Sequence, residues 1–269
     1  MGRAHPDLVD LVGGLIAAGP HDGADRPPLI AVVGAQGSGK TTLARETAAR
    51  FGAAQISIDD VYLTRAEREA MAREVHPLFV HRGPPGTHDL SLLQSLIDGL
   101  STAGPQDGTL VPEFDKRGDD RWPVERWRRF RGRPSAILID AWCLAALPEA
   151  ASALAPPINA LERDHDPDGA WRRAVNDFVA GPYADFAARF DAILFLQAPG
   201  FEVVLDWRAQ QEADLLGVRP AELPPPERDR LAGFIQYFER ITRRMLSGGV
   251  RADVTVKLDR NRRPIAIER

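Results

Sequence analysis

The chain lacks most of what an extracellular or membrane protein is built with. Its 269 residues include one cysteine, Cys143, so no internal disulfide framework can form, which suits a reducing cytoplasm. No apolar run approaches the ~18 residues that a membrane span needs. The early stretch Leu8 to Ala18 is interrupted by Asp10 and by Gly13/Gly14. Its apolar residues fall at 8, 9, 11, 12, 15 and 16, the spacing of an amphipathic surface helix rather than of a signal peptide. A charge excess is missing too: 34 Lys+Arg against 38 Asp+Glu leave a net charge of −4, with no global basic field to hold nucleic acid or anionic lipid.

Two local clusters invite other readings. Arg121 to Arg133 holds six arginines with Trp122, Trp127 and Phe130 interleaved. This reads as a basic rim or as a solvated face with its aromatics turned inward, in preference to a nucleic-acid patch. The acidic run Glu162 to Asp168, with His165, reads as a helix end and turn rather than a metal site, because Asp166-Pro167-Asp168-Gly169 is strong turn chemistry. No nucleic acid, membrane or obligate protein partner is expected.

What is present is an alternation. Leu29 to Val33 is a continuous apolar run ending at Gly34, as in a strand buried on both faces; similar runs are Ala54 to Ile58, Ala136 to Ile139, Ala192 to Leu196 and Val254 to Leu258. Helical patterns cover Lys40 to Phe51, Leu90 to Leu100, Trp171 to Arg189, Phe201 to Leu216 and Arg228 to Leu246. The expectation is an α/β three-layer sandwich, with a mainly parallel sheet of about five strands, helices on both faces and a small lid; the G-x-x-x-x-G-K-T run Gly34 to Thr41 after the first strand makes it that of a P-loop NTPase. One domain over 1–269 is expected, with 1–28 a helix and connector. The Pro-rich stretch Arg219 to Pro226 places the lid at about 200–227. Right-handed crossovers put the strands' carboxyl ends, and hence the ligands, along one edge.

At the end of the first of these strands stands Gly34-Ala35-Gln36-Gly37-Ser38-Gly39-Lys40-Thr41, followed by Thr42. It matches G-x-x-x-x-G-K-S/T in full, between a buried strand and an amphipathic helix. The glycines let successive N–H groups face phosphates, and the helix start adds its positive end. Lys40 is expected at the β/γ-phosphates and the Thr41 hydroxyl on magnesium. Ser135 to Asp140 is an apolar strand ending in an acid, which suits Asp140 as second metal ligand, or merely as a cap of the next element.

The strand Ala54 to Ile58 ends in Asp59-Asp60-Val61-Tyr62. A carboxylate there opens beside the γ-phosphate and can take the proton of an attacking hydroxyl. Asp59 is the expected base and Tyr62 a wall of the acceptor pocket; Asp60 could equally cap the helix beginning near Thr64.

Ser57-Ile58-Asp59-Asp60-Val61-Tyr62-Leu63-Thr64 resembles the S-x-D-D-F-Y-L-T segment of D-glycerate 3-kinases, P-loop kinases related to uridine kinase, phosphoribulokinase and bacterial pantothenate kinase. Arg82-Gly83-Pro84-Pro85-Gly86-Thr87-His88-Asp89 is similar to that family's R-G-x-x-G-(S/T)-H-D, and Pro112 to Lys116 to its P-x-(F/Y)-D-K. Further likeness lies at Ile158 to Asp164, Asp166 to Gly169, Trp207-Arg208 with Gln211-Glu212, and Phe238 to Thr242. One segment departs: the family's E-G-W is here Asp140-Ala141-Trp142, with a shorter acid and an added Cβ.

The resemblance implies transfer of the ATP γ-phosphoryl group, with magnesium, to a hydroxyl of a small acid, D-glycerate before a nucleoside, pantothenate-like or sugar acceptor. It implies Arg82 and His88 as acceptor ligands. Lys116 would act there or on phosphate, and Asp115 as an orienting, metal or structural group. Arg208 would reach the transferring phosphoryl from the lid, or pair with Glu212. Arg262 would stack on adenine, or belong to a solvated turn. From another class, an NTP-dependent switch or chaperone is poorly supported, since Val256-Lys257-Leu258-Asp259 lacks the Asn or Thr of a guanine-reading motif.

Overall fold

All five apolar runs become neighbours in one sheet. In the computed structural model, which describes residues 3–269, the strands are β1 (Leu29–Gly34), β2 (Ala54–Ser57), β3 (Gly108–Val111), β4 (Phe114–Asp115), β5 (Asp120–Arg121), β6 (Arg128–Arg131), β7 (Ile137–Ala141), β8 (Ala192–Gln197), β9 (Val254–Leu258) and β10 (Pro264–Glu268). The central sheet runs β10-β9-β8-β1-β7-β2, parallel throughout except for β10. The chain is a P-loop NTPase three-layer sandwich. A sixth strand joins the expected five because the turn after β9 closes on itself. The Asp259 carboxylate accepts from the N–H groups of Asn261 and Arg263, both at 2.8 Å, and Arg262 adopts φ 65°. The hairpin was hidden in the sequence by its exposed, half-polar pattern at Ile265 and Ile267.

Period-two alternation divides the core. Ala31, Val33, Ile137, Ile139, Ile193 and Phe195 face one layer, formed by the helices Leu90–Thr102, Ala170–Phe178 and Pro225–Leu246. Ile30, Val32, Leu138, Leu194, Leu196 and Val256 face the other, with Leu8, Val9 and Val12 of the helix Pro6–Ala18, Leu43 and Ala44 of Lys40–Phe51, and Trp207 of Glu202–Leu216. Each wholly buried Val or Ile contributes about 1.5–3 kcal/mol, so the two-faced burial of β1 fixes its central place. Strand β2 departs from expectation: it is an edge strand, and only Ala54 and Ile56 are buried. Gln55 and Ser57 form a polar row on its second face.

The layer beneath the Arg82–Asp89 loop is unusually constrained. The expected helix Trp171 to Arg189 is continuous only through a wide π turn, Val179–Tyr183, which accommodates Pro182. A Cβ at Gly83, φ 126°, would lie 2.5 Å from the Phe238 ring, and one at Gly86, φ 101°, the same distance from Phe178. The loop therefore lies directly on two helices. Helix Pro225–Leu246 is itself tied down by Arg240, which donates to both oxygens of the fully buried Glu162 at 2.8 and 2.6 Å and to the Pro156 carbonyl at 2.8 Å. The acidic run is thus structural as expected: Asp166, also buried, receives Arg172 at 2.9 Å. Arg240→Met leaves Glu162 buried without its counter-ion and is expected to cost about 3–5 kcal/mol in chemical denaturation; a loss under about 1 kcal/mol would show that the pair does not hold the helix.

Candidate active site

The phosphate loop is shaped by backbone that only glycine tolerates. Gly37 and Gly39 have φ of 78° and 93°. A Cβ on Gly37 would stand 2.5 Å from that of Trp207, whereas one on Gly39 meets nothing within 4 Å. One side of the loop is thus pressed onto the helix Glu202–Leu216, and the other is open above the start of the helix Lys40–Phe51, where its free N–H groups can meet an anion. Arg262 holds this arrangement from outside, donating from Nε to the Gly37 carbonyl at 2.5 Å and from Nη1 to Gln210 at 2.8 Å, and lying 5.0 Å over the Trp207 ring. The same turn borders a shallow recess of about 350 Å³ lined by Val203, Asp206, Gln210 and Asn261.

Inside the loop the Lys40 ammonium finds, among the described residues, the Ala35 carbonyl at 3.3 Å. Burial lowers its pKa, against the pull of Asp59 and Asp140. The Gln36 amide and the Ser38 hydroxyl are buried without a partner. A buried cation and unpartnered polar groups on one glycine-shaped loop fit the binding of an anionic group.

Thr41 Oγ1 donates to Asp140 Oδ2 at 2.7 Å. Ser57 Oγ reaches the same oxygen at 3.1 Å, and Gln55 Nε2 donates to Oδ1 at 2.5 Å. The register causes this grouping, since Ser57 stands opposite Asp140 across β2 and β7 and Val32 opposite it across β1. A hydroxyl and a carboxylate in contact form an oxygen donor set that suits a hard divalent cation. Burial raises the Asp140 pKa despite its three donors. Gln55 and Ser57 were not singled out in the sequence; the signal was their i, i+2 spacing in a run read as apolar. The Cβ of Ala141 joins the hydrophobic cluster on the opposite face of the sheet, with Trp142.

Beyond β2 a short 3₁₀ turn, Ile58–Val61, carries both acids. Asp59 accepts the Tyr62 hydroxyl at 2.8 Å on Oδ1 and the Lys116 ammonium at 2.6 Å on Oδ2. Burial alone would raise its pKa, but Lys116, Lys40 and Tyr62 together hold it well below the usual carboxylate range. Its neighbour behaves oppositely: burial and the Asp59 charge push Asp60 up to about 7. Asp60 bonds nothing in the next helix, which is capped by Thr64 and Glu67 instead. Arg208 faces the same space, with its Nε buried and unpartnered while Nη1 donates to Gln211 at 2.6 Å; Glu212 stands 4.0 Å away. Burial depresses its pKa, against the pull of Glu212 and Asp59.

Of the residues implied by the resemblance, the structure brings His88 and Lys116 to Asp59 and Tyr62 and engages Arg82 elsewhere. Arg82 donates to the Asp119 carboxylate and to the Lys116 carbonyl, the latter at 3.2 Å. Asp115 accepts from the Arg117 N–H at 3.0 Å and shapes the β4–β5 turn. His88 stacks on Tyr62 with ring centroids 4.6 Å apart. Gly86 N–H donates to the Tyr183 oxygen at 3.0 Å, so the Tyr183 proton goes to His88 Nδ1, 2.6 Å away. The ring proton then sits on Nε2, a buried donor with no partner. Burial lowers the His88 pKa to about 4, so the ring is neutral at pH 7. Tyr183 had no sequence signal, because its partner lies 95 residues away.

The basic stretch supplies β6, which pairs antiparallel with β3 and on which Arg128, Arg129 and Arg131 are exposed. Arg128 donates to the Gln55 carbonyl and lowers the Asp60 pKa from nearby. The other cluster, Glu162 to Asp168, holds no metal-binding group of three His, Cys, Asp or Glu among the described residues. Among those residues no helix is long and apolar enough to cross a membrane.

His88 and Asp60 shape stability in opposite directions. With its folded pKa below the free value, His88 removes stability as pH falls from 6.5 towards 4; Asp60, raised to about 7, adds stability as pH falls from 7 towards 3.8. Asp60→Asn is therefore expected to be more stable than the parent above pH 7 and to lose more stability between pH 6.5 and 4, because less of the His88 loss is offset. Denaturant titrations at both ends of that window check this; parallel curves for parent and variant would contradict it.

No family model matches the chain, and no curated protein does. Among solved structures, D-glycerate 3-kinase from Cryptococcus neoformans var. grubii serotype A is similar over 99% of both chains, with a TM-score of 0.77 at 19% identity. The YGR205w protein is similar over 97% of both, at 0.68 and 21%. A Silicibacter sp. TM1040 protein, provisionally described as a fructose transport system kinase, is similar over 92% of this chain and 98% of its own, at 0.61 and 20%. At these identities the likeness is one of fold, and the fold is that of the P-loop kinase group to which the motifs point.

Proposed function

We propose that the chain is an ATP-dependent kinase that phosphorylates a hydroxyl of a small acid, D-glycerate foremost. The observation that carries this reading is the Asp59 carboxylate, set at the carboxyl end of β2 in the electrostatic reach of Lys40. A plain NTPase has no need of a half-buried base with an aromatic wall on the acceptor side.

The donor half consists of Gly34 to Thr42, with Lys40 as the cation for the β/γ-phosphates and Arg262 bordering a recess that would take adenine. Thr41 and Asp140 would hold magnesium, which when bound neutralises phosphate charge as a Lewis acid. On the acceptor side, Tyr62 and His88 form a wall whose free Nε2–H is available to an acceptor oxygen. Arg82 acts through Asp119 and the Lys116 carbonyl, as a positioning residue. The acceptor oxygen bonds to the γ-phosphorus as its proton passes to Asp59. The bond from that phosphorus to the β–γ bridging oxygen breaks, and its electron pair leaves with ADP. Arg208, with an unpartnered Nε, meets the phosphoryl oxygens as charge spreads over them. The helix it rides on and the turn up to residue 227 form the lid. Lys257 and Asp259, which a guanine-reading switch would need free, are engaged by Glu268 and by the β9–β10 turn.

The reading is tested with a panel of hydroxy acids, nucleosides and vitamins offered with ATP and magnesium. ADP release is expected to rise sharply with D-glycerate; stimulation only by another hydroxyl compound would remove that acceptor. Asp59→Asn is expected to lower kcat by about 10²–10⁴-fold with nucleotide affinity kept, whereas equal loss of both would contradict its role as base. Lys40→Ala is expected to weaken nucleotide binding for every acceptor, as read by fluorescent-nucleotide titration.

A further inference from the structure

The base proposed above is already occupied. Both Asp59 oxygens carry donors, and the one on Oδ2 is a full ammonium at 2.6 Å. Such a carboxylate is a poor proton acceptor, held well below its ordinary range by the charge beside it.

The Lys116 arm is anchored at its backbone and exposed along its side chain. Its backbone is fixed in the β4–β5 turn. Buried Arg68 donates to the Asp119 carbonyl at 2.6 Å and approaches its carboxylate at 3.1 Å, while Arg82 donates to that carboxylate and to the Lys116 carbonyl. The side chain itself is 58% exposed, so a rigid base carries a free-swinging cation. Around it charges of both signs crowd together: Lys40, Lys116 and Arg208 act on Asp59 or Asp140, and Arg128 and Lys116 act on Asp60. An entering carboxylate adds one negative charge. Arg82 is committed to Asp119 and His88 is neutral at pH 7, which leaves Lys116 as the cation among the acceptor-side residues able to answer it.

We propose that Lys116 is a latch on the base: in the free protein its ammonium holds Asp59, and the carboxylate of an acid acceptor draws it away, freeing Asp59 Oδ2 for the hydroxyl proton. This rests on the reading of the site as a small-acid kinase and deepens it. The selectivity for an acid comes from exchange of one ion pair for another. Water and neutral alcohols cannot displace the ammonium, so they meet a silenced base, and ATP is protected from hydrolysis while the acceptor pocket is empty. The proton and the phosphoryl group follow the path already given; only the partner of Lys116 changes.

The test compares the parent, Lys116→Met and Lys116→Arg with D-glycerate and with glycerol, its neutral counterpart, alongside ATP hydrolysis without acceptor. Fluorescent-nucleotide binding confirms that each variant is folded. The latch predicts that Lys116→Met lowers the acid-to-neutral ratio of kcat/KM by about tenfold to a hundredfold, the scale of one charge-assisted hydrogen bond, and raises acceptor-free hydrolysis. Lys116→Arg should recover part of the ratio. An unchanged ratio in Lys116→Met, with both acceptors slowed alike, would overturn the latch and leave the kinase reading intact. A parent that phosphorylates glycerol as well as glycerate would do the same. A parent that phosphorylates neither overturns both.

Discussion

The parallel register of β1, β7 and β2 is the constraint on which the rest of the site depends. With Val32 and Ser57 both opposite Asp140, the three strands end within one side chain's reach of each other. The phosphate loop leaves β1 two residues beyond this level, and the acidic turn leaves β2 at it. No loop has to be long or mobile to bring Thr41, Asp140 and Asp59 into one field; backbone hydrogen bonds do it. The cost is concentrated charge in a buried place. Carboxylates and cations act on one another there, and the pKa values of Asp59 and Asp60 part in opposite directions from a common origin.

The acceptor side is held by a different device. It lies outside the central sheet, on helices and the short β4–β5 ladder, and its loops keep a geometry only where side chains satisfy their backbone. Arg68 bonds the Leu63, Val80 and Asp119 carbonyls at 3.3, 2.6 and 2.6 Å, and Trp142 donates to the Gly83 carbonyl at 3.1 Å. Arginine serves here as structural mortar, because its forked donors reach several carbonyls at once. The same chemistry explains why Arg82, whose motif pointed to a ligand, is engaged by Asp119. Its place in the motif is compatible with either role, and only the partner decides.

This division accounts for what could be read in the sequence. Apolar runs and glycine placement are local, so the five parallel strands, the phosphate loop and the helix that follows it were legible. Asp59 and Tyr62 were legible because three residues separate them and the strand end fixes their surroundings. The contacts of Asp140 with Gln55, of Lys116 with Asp59 and of Tyr183 with His88 join residues 85, 57 and 95 positions apart. No local pattern encodes such pairs. The π turn at Pro182 shows the same limit, because proline reads as a helix stop unless the packing that keeps the helix going is known.

The Asp140-Ala141-Trp142 segment looks like a loss when read alone, since the acid is one methylene shorter than glutamate. Its neighbours make it self-consistent. β7 is flanked by β1 and β2, so the carboxylate lies beside two strands and the phosphate-loop helix, and Thr41 touches it directly at 2.7 Å. Gln55, at 2.5 Å, and Ser57, at 3.1 Å, hold its two oxygens from the β2 side, so the shorter arm is oriented rather than left to search. Alternation along the strand sends the Ala141 Cβ to the opposite face, where it fills core volume beside Trp142 and adds nothing to the ligand side. A glutamate at 140 would have to displace the Thr41 hydroxyl or Gln55 to fit the same space. Acid length and the polar row on β2 therefore form one unit, and changing either without the other would unbalance the Thr41–Asp140 end of the site.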